Sequence, residues 1–176
     1  AASDVYKRQV WGDLEWHLLQ SDAHQGMKRF FRELNYLYCS QPALYEQDCN
    51  EEGFQWIDCS DNNHSVISFI RRAKDEKDFV VAVCNFTPQP HSHYRVGVPE
   101  PGFYTEIFNS DAGNYGGSNM GNLGGKWTND WFFHSYQQSL DLCLPPLGVV
   151  VFQLDRKKTI AMVQESEGVE TVEAKG

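Results

Sequence analysis

Between Phe54 and Leu154 short apolar or alternating runs recur seven times, as FQWIDC, SVISFIRR, FVVAVCNF, HYRVGV, FYTEIFN, SLDLCL and LGVVVFQL, with no segment of helical period among them. This recurrence constrains the fold more than any other feature. The runs are rich in Val, Ile, Phe and Tyr. They are separated by turn clusters such as Ser60-Asp61-Asn62-Asn63, Lys74 to Asp78 and Pro99-Glu100-Pro101-Gly102. That pattern predicts antiparallel strands joined by turns, and about a hundred residues is an ordinary size for a sandwich. Val66, Phe69, Val81, Val83, Val149 and Val151 are the expected core. The expected fold class is therefore mostly β: an antiparallel β-sandwich preceded by one amphipathic helix.

The helix is read over residues 22–40. Asp22 stands as its cap with Gln25 three residues on, in the spacing of a capping box. Met27, Phe31, Leu34 and Tyr38 follow at i, i+4, i+7 and i+11, with Phe30 and Leu37 widening the stripe, and Ser40-Gln41-Pro42 ends it. Burying six such side chains is worth about 1.5–3 kcal/mol each, far more than helix propensity, so the helix must lie against an apolar surface. Two partners fit: the outer face of the sheet, or a larger domain through which the chain has been cut. The apolar stretch VWGDLEWHLLQ before the helix favours the second. Residues 1–9 show no period, residues 51–155 form the sandwich, and 156–176 read as a disordered acidic tail.

A formal net charge of −9, with no basic cluster denser than Arg71, Arg72 and Lys74, argues against a nucleic-acid partner. No run approaches the eighteen apolar residues of a membrane span. The five cysteines are odd in number and lack metal or redox spacing, so they are expected as free thiols, and no secretory signal is visible; the cytoplasm is the expected location. No P-loop, GxGxxG or GxSxG frame is present, and no cofactor, metal or catalytic residue is expected. His91 and His93 could hold a metal on one strand face but lack a third ligand, and an exposed strand end explains them as well.

Residues Asn109 to Gly125 hold six of the fourteen glycines and four asparagines in seventeen residues. Asn109, Ser110, Asp111, Asn114 and Asn122 can bond their own backbone in Asx-type turns, which predicts an ordered loop rather than a linker. Asp111 is expected to order those turns. The adjoining KWTNDWFFHSY places Trp127 and Trp131 beside Asn129, Asp130 and His134. Aromatic faces flanked by polar groups suit a sugar, whose C–H faces stack and whose hydroxyls hydrogen-bond, so Trp127 and Trp131 are candidate substrate-binding residues. The competing reading is that these rings plug the end of the sandwich or pack on a neighbouring domain.

Longer motifs carry a family resemblance. LEWHLL (Leu14 to Leu19), LNYLY (Leu34 to Tyr38), PALYEQD (Pro42 to Asp48), GFQWID (Gly53 to Asp58) and SVISFIRR (Ser65 to Arg72) are joined by VCNFTPQP (Val83 to Pro90), FNSD within YRVGVPEPGFYTEIFNSD, YGGSNMGNLGG (Tyr115 to Gly125) and LPPLGVVVF (Leu144 to Phe152). From about Trp11 to Leu154 the chain resembles the C-terminal end of bacterial 1,4-α-glucan branching enzymes, of the α-amylase superfamily. The resemblance implies that residues 10–50 are the remnant of a catalytic (β/α)8 barrel, with the helix its last, and that the strands form the superfamily's C-terminal sandwich. It implies as well that the catalytic Asp, Glu and Asp of such enzymes lie upstream, leaving none here. The implied partner is the barrel, which the sandwich supports, with α-glucan or glycogen as a further ligand. A stand-alone carbohydrate-binding module, or a purely structural domain of a related superfamily enzyme, are the alternatives. The sequence departs from the family at Phe133, commonly Trp there, and over Trp127 to Gln138.

Overall fold

The computed structural model describes residues 15–162 and 164. Among these residues one long helix, α1 (Asp22–Ser40), precedes eight strands: β1 (Phe54–Asp61), β2 (Val66–Arg72), β3 (Phe79–Asn85), β4 (His91–Val98), β5 (Phe103–Asn109), β6 (Gly125–Trp127), β7 (Gln138–Leu144) and β8 (Val149–Leu154). Six form one antiparallel sheet in the order β1-β2-β3-β8-β5-β6, and β4 pairs with β7 in a second. All seven expected runs are strands. The eighth, β6, escapes a reading by alternation because three residues on a sheet edge, paired with Phe103 to Thr105, show no period.

The main core lies between the sheets. Val66, Ile70, Val81, Val83, Tyr104, Val150 and Phe152 from the larger sheet meet Tyr94, Val96, Val98, Leu140, Leu142 and Leu144 from the smaller. A second cluster covers the larger sheet's other face, where Val80, Ala82, Phe108 and Val151 meet Leu37 of α1, with Phe30 and Leu34 packed alongside. Two covered faces explain why β3, FVVAVCN, is buried at every position. Of the expected core residues, Phe69 and Val149 are only partly buried, against the second cluster.

The helix thus packs on the outer face of the sheet with a narrower stripe than its spacing implies. Leu37 is 8% exposed, whereas Met27, Phe31 and Tyr38 are 56%, 55% and 47% exposed. Its start also differs. Ser21, not Asp22, occupies the N-cap with extended backbone and no side-chain bond, and Asp22 is an acid in the first turn, where the helix dipole favours it. The end stands as expected, Gln41 turning extended before Pro42.

Residues 156–162 are helical, which corrects the expectation of a disordered tail from 156. Local anchors outweigh the acidic composition. Asp155 Oδ1 accepts from Lys158 N at 2.9 Å, Arg156 donates twice to Glu100 at 2.6 and 2.8 Å, and Lys158 Nζ lies 3.4 Å from the Phe103 ring centroid. The rest of that tail, and residues 1–14, lie outside the described residues. All five thiols are free, and among the described residues no helix is long and apolar enough to cross a membrane.

Candidate functional site

The glycine-rich loop is ordered, and its asparagines do the ordering. Asn109 Oδ1 accepts from Asp111 N at 2.9 Å while its Nδ2 donates to Met120 O at 2.8 Å. Asp111 accepts from Ser118 N at 2.9 Å, Met120 N at 3.1 Å and the Ser118 hydroxyl. Burial works to raise the Asp111 pKa, but those three donors outweigh it and hold the carboxyl below its ordinary range. Asn114 takes part differently from the expected Asx turn, through its backbone oxygen.

That loop closes on α1. A Cβ added at Gly26 would stand 2.5 Å from Tyr115 O, so only glycine lets helix and loop meet there. Arg29 Nη1 donates to Asn114 O at 2.8 Å, and the Tyr115 hydroxyl donates to Glu33. Phe30 lies edge-on to Tyr115 at 5.4 Å and 5.7 Å from Phe108. Burial, with the Glu33 bond, pushes the Tyr115 phenol up to about 12. The loop therefore clamps α1 onto the sheet, with the exposed Met27, Phe31 and Tyr38 on the side turned away.

The aromatic segment runs from the larger sheet to the smaller. Trp127 pairs with Phe103 in β6 and is 38% exposed, its ring 5.3 Å from that of Phe103. Asn129 then bridges to Ser139 of β7, and Trp131, 61% exposed, has the Arg95 guanidinium 4.8 Å from its ring centroid. The two candidate rings have separate partners on different sheets. Phe133 and Tyr136 close a tight turn in which His134 and Ser135 take positive φ of 48° and 67°. The turn sits directly on β4, where a Cβ at Gly97 would lie 2.2 Å from Phe133 O.

One cluster gave no sequence signal. At the seam between the edge strands β1 and β4, Tyr94 donates to Asp61 at 2.8 Å, His64 Nδ1 lies 2.8 Å from the same carboxyl, and His134 Nε2 stands 3.5 Å from Asp58. Asp58 also accepts from the Ser60 hydroxyl and backbone N–H at 2.7 and 2.9 Å. Asp58 and Asp61 both lie in β1, on either side of a register shift, and of their partners Tyr94 and His134 come from far along the chain. His91 faces His64, with ring centroids 5.3 Å apart, whereas His93 bonds Asp141 at 3.0 Å. A register shift interrupts β4 between His91 and Tyr94, and although both histidines line one cleft, among the described residues no group of three or more ligating side chains could hold a metal ion.

The seam makes stability fall with acid. Burial tends to raise Asp58 and Asp61, yet hydrogen bonds from Ser60 to the first and from Tyr94 and His64 to the second bring both below the ordinary 3.8. Burial also lowers His134 below 6.5, against the opposing pull of Asp58 and Asp61, because 3.5 Å is long for a hydrogen bond. A histidine favoured in its neutral form stabilises fully above its unfolded pKa of 6.5 and loses that contribution as pH falls through its folded value; the carboxylates lose theirs below 3.8. The melting temperature should therefore decline in two stages from pH 7 to pH 3. In His134→Asn, which keeps a residue tolerant of positive φ, the upper stage should vanish. A variant retaining that upper stage would show that the proton is taken up elsewhere.

Residues 56–155 match the family model described as the alpha amylase, C-terminal all-beta domain. The chain is 90% identical over 166 residues to the 1,4-alpha-glucan branching enzyme GlgB of Trichodesmium erythraeum (strain IMS101), covering 94% of this chain and 21% of that protein. The enzymes of the same description from Thermosynechococcus vestitus (strain NIES-2133 / IAM M-273 / BP-1) and Synechocystis sp. (strain ATCC 27184 / PCC 6803 / Kazusa) are each 71% identical, over 86% and 84% of this chain and 20% and 19% of theirs. The chain thus spans about a fifth of the length of the curated relatives it matches. With two antiparallel sheets packed around one core and a family match that runs from β1 through β8, the chain belongs to the α-amylase C-terminal all-β domain family.

Proposed function

We propose that this chain is the C-terminal accessory part of a 1,4-α-glucan branching enzyme, which cleaves α-1,4-glucan chains and re-attaches them through α-1,6 linkages. Its work is to hold the last helix of a catalytic (β/α)8 barrel, the chemistry being done upstream. The clamp on α1 carries this reading: one face is fixed by Phe108, Phe30 and Tyr115 while Met27, Phe31 and Tyr38 stay open to a further apolar surface. Residues 10–50 are on this view the barrel's end and 51–155 the supporting domain. The exposed indoles of Trp127 and Trp131 are its proposed glucan contacts, each a stacking face of its own. The free thiols, three of them exposed, suit the cytoplasm.

The test joins residues 15–176 to the upstream four-fifths of the Trichodesmium enzyme and measures branch formation on amylose. The joined chain should branch at the rate of that enzyme. Gly26→Val, which drives a side chain into Tyr115 O, should lower the temperature at which activity is lost while leaving KM for amylose unchanged. A joined chain that folds without branching would refute the assignment.

A further inference from the structure

The seam described above encloses an open cleft of about 440 Å³, within the usual range for small-ligand sites, and nothing in the proposed support of a barrel uses it. Its walls include Asp58, Asp61, His64, His91, Phe133 and His134. Most of their polar atoms are engaged with one another, but not all. His64 turns Nδ1 to Asp61, which leaves Nε2 as the ring atom free to meet a ligand, and the side chain is 53% exposed. His91 Nε2 is buried and has no hydrogen-bond partner. Buried polar groups are rarely left so, and an unmatched one beside an open cleft marks a place where a ligand or a water completes the set.

The charges restrict what can enter. Two carboxylates held in their ionised form face one guanidinium among the described residues, that of Arg95, which is already occupied by the Ser139 hydroxyl at 3.0 Å and the Trp131 ring. The cleft therefore disfavours an anion. A metal is disfavoured by the donors, since among the described residues no three ligating side chains are placed to hold one. A neutral polyol meets both needs: its hydroxyls donate to the remaining lone pairs of Asp58 and Asp61 and exchange hydrogen bonds with the free nitrogens of His64 and His91. Phe133, its ring centroid 4.1 Å from that of His134 and tilted 46° to it, adds an aromatic wall, and Arg95 links the cleft to Trp131. We infer that the cleft between β1 and β4 binds a glucosyl unit of an α-glucan, with His64 and His91 as its recognition residues. The choice of glucan among polyols rests on the branching-enzyme reading; the site itself rests on the cleft.

The 176-residue chain would be titrated with maltoheptaose, following the histidine ring protons by NMR and the affinity by calorimetry. Saturable binding should shift the His64 and His91 signals. His64→Ala and His91→Ala should each weaken binding about tenfold, as the loss of a ligand hydrogen bond does, in chains that remain folded at the temperature of the titration. His64 is exposed enough that its variant folds, which keeps the test decisive if His91→Ala does not. No binding, binding that moves only tryptophan signals, or full affinity in His64→Ala would each overturn the proposal. The outcome is independent of the branching assay: a joined chain that branches while the histidine signals stay still sinks the cleft alone, and shifted signals in a chain that cannot support branching sink the assignment alone.

Discussion

Phe108→Ala should lower the unfolding free energy by about 3–5 kcal/mol, the range for deleting a buried phenylalanine from a core that cannot collapse around the gap. Phe108 is 8% exposed and stands where three elements meet: the outer face of the larger sheet, α1 through Phe30 at 5.7 Å, and the glycine-rich loop through Tyr115 at 6.2 Å. Its removal leaves the main core between the sheets intact, because Phe108 belongs to the outer cluster. The loss should therefore be local before it is global. Hydrogen exchange should rise first over residues 22–40 and 109–125 and only later in β3 and β8, whereas a core deletion such as Phe152→Ala should raise all of them together. Urea titration supplies the total and exchange its distribution. Uniform acceleration in Phe108→Ala would mean that helix, loop and sandwich are one cooperative unit and that the clamp has no separate existence.

The position of Phe108 also shows where the sequence stops being readable. In FYTEIFN strict alternation puts Tyr104, Glu106 and Phe108 on one face. Tyr104 does point into the main core, but the register shifts between Glu106 and Phe108, so that Glu106 pairs with Phe152 and Phe108 with Val151. One extra residue, Ile107, turns the second phenylalanine to the helix side. The same cause hides the seam, since β1 shifts register on both sides of Asp58. What periodicity determines was legible: the seven runs, the helix and its end, and dense β-branched burial in β3. The loop's order was legible too, because Asn and Asp bond neighbours within a dozen residues. Contacts such as Tyr94 to Asp61 and Gly26 to Tyr115 join distant segments, and no local pattern announces them. The width of the helix stripe was overread for a related reason: spacing shows that Met27, Phe31 and Tyr38 form a face, without showing whether that face is covered.

Asn122→Leu should cost on the order of 3 kcal/mol, although leucine fits the same volume closely, because the cost comes from the partners it abandons. Asn122 is 1% exposed. Its Oδ1 accepts from Cys143 N at 2.8 Å, and its Nδ2 donates to Cys143 O at 3.0 Å and to Glu106 at 2.6 Å, so one amide reproduces a strand pairing beside β7 and joins it to β5. Leucine would leave a backbone donor, a backbone acceptor and a carboxylate oxygen without this partner in a place poorly reached by water. The loop is held at its other end by Tyr115 on α1, so Asn122 and Tyr115 are the two anchors of one strap. Losing the first should free the loop from β7 without releasing the helix. Cys143, a free and partly buried thiol whose pKa burial raises, reports that release directly: its labelling by a thiol reagent should accelerate in Asn122→Leu and remain slow in Asn119→Ala, whose side chain bonds only within the loop. Equal labelling in the two variants, or an unfolding free energy from urea for Asn122→Leu within about 0.5 kcal/mol of the parent, the range of ordinary surface substitutions, would show that the strap is held by its helix end alone.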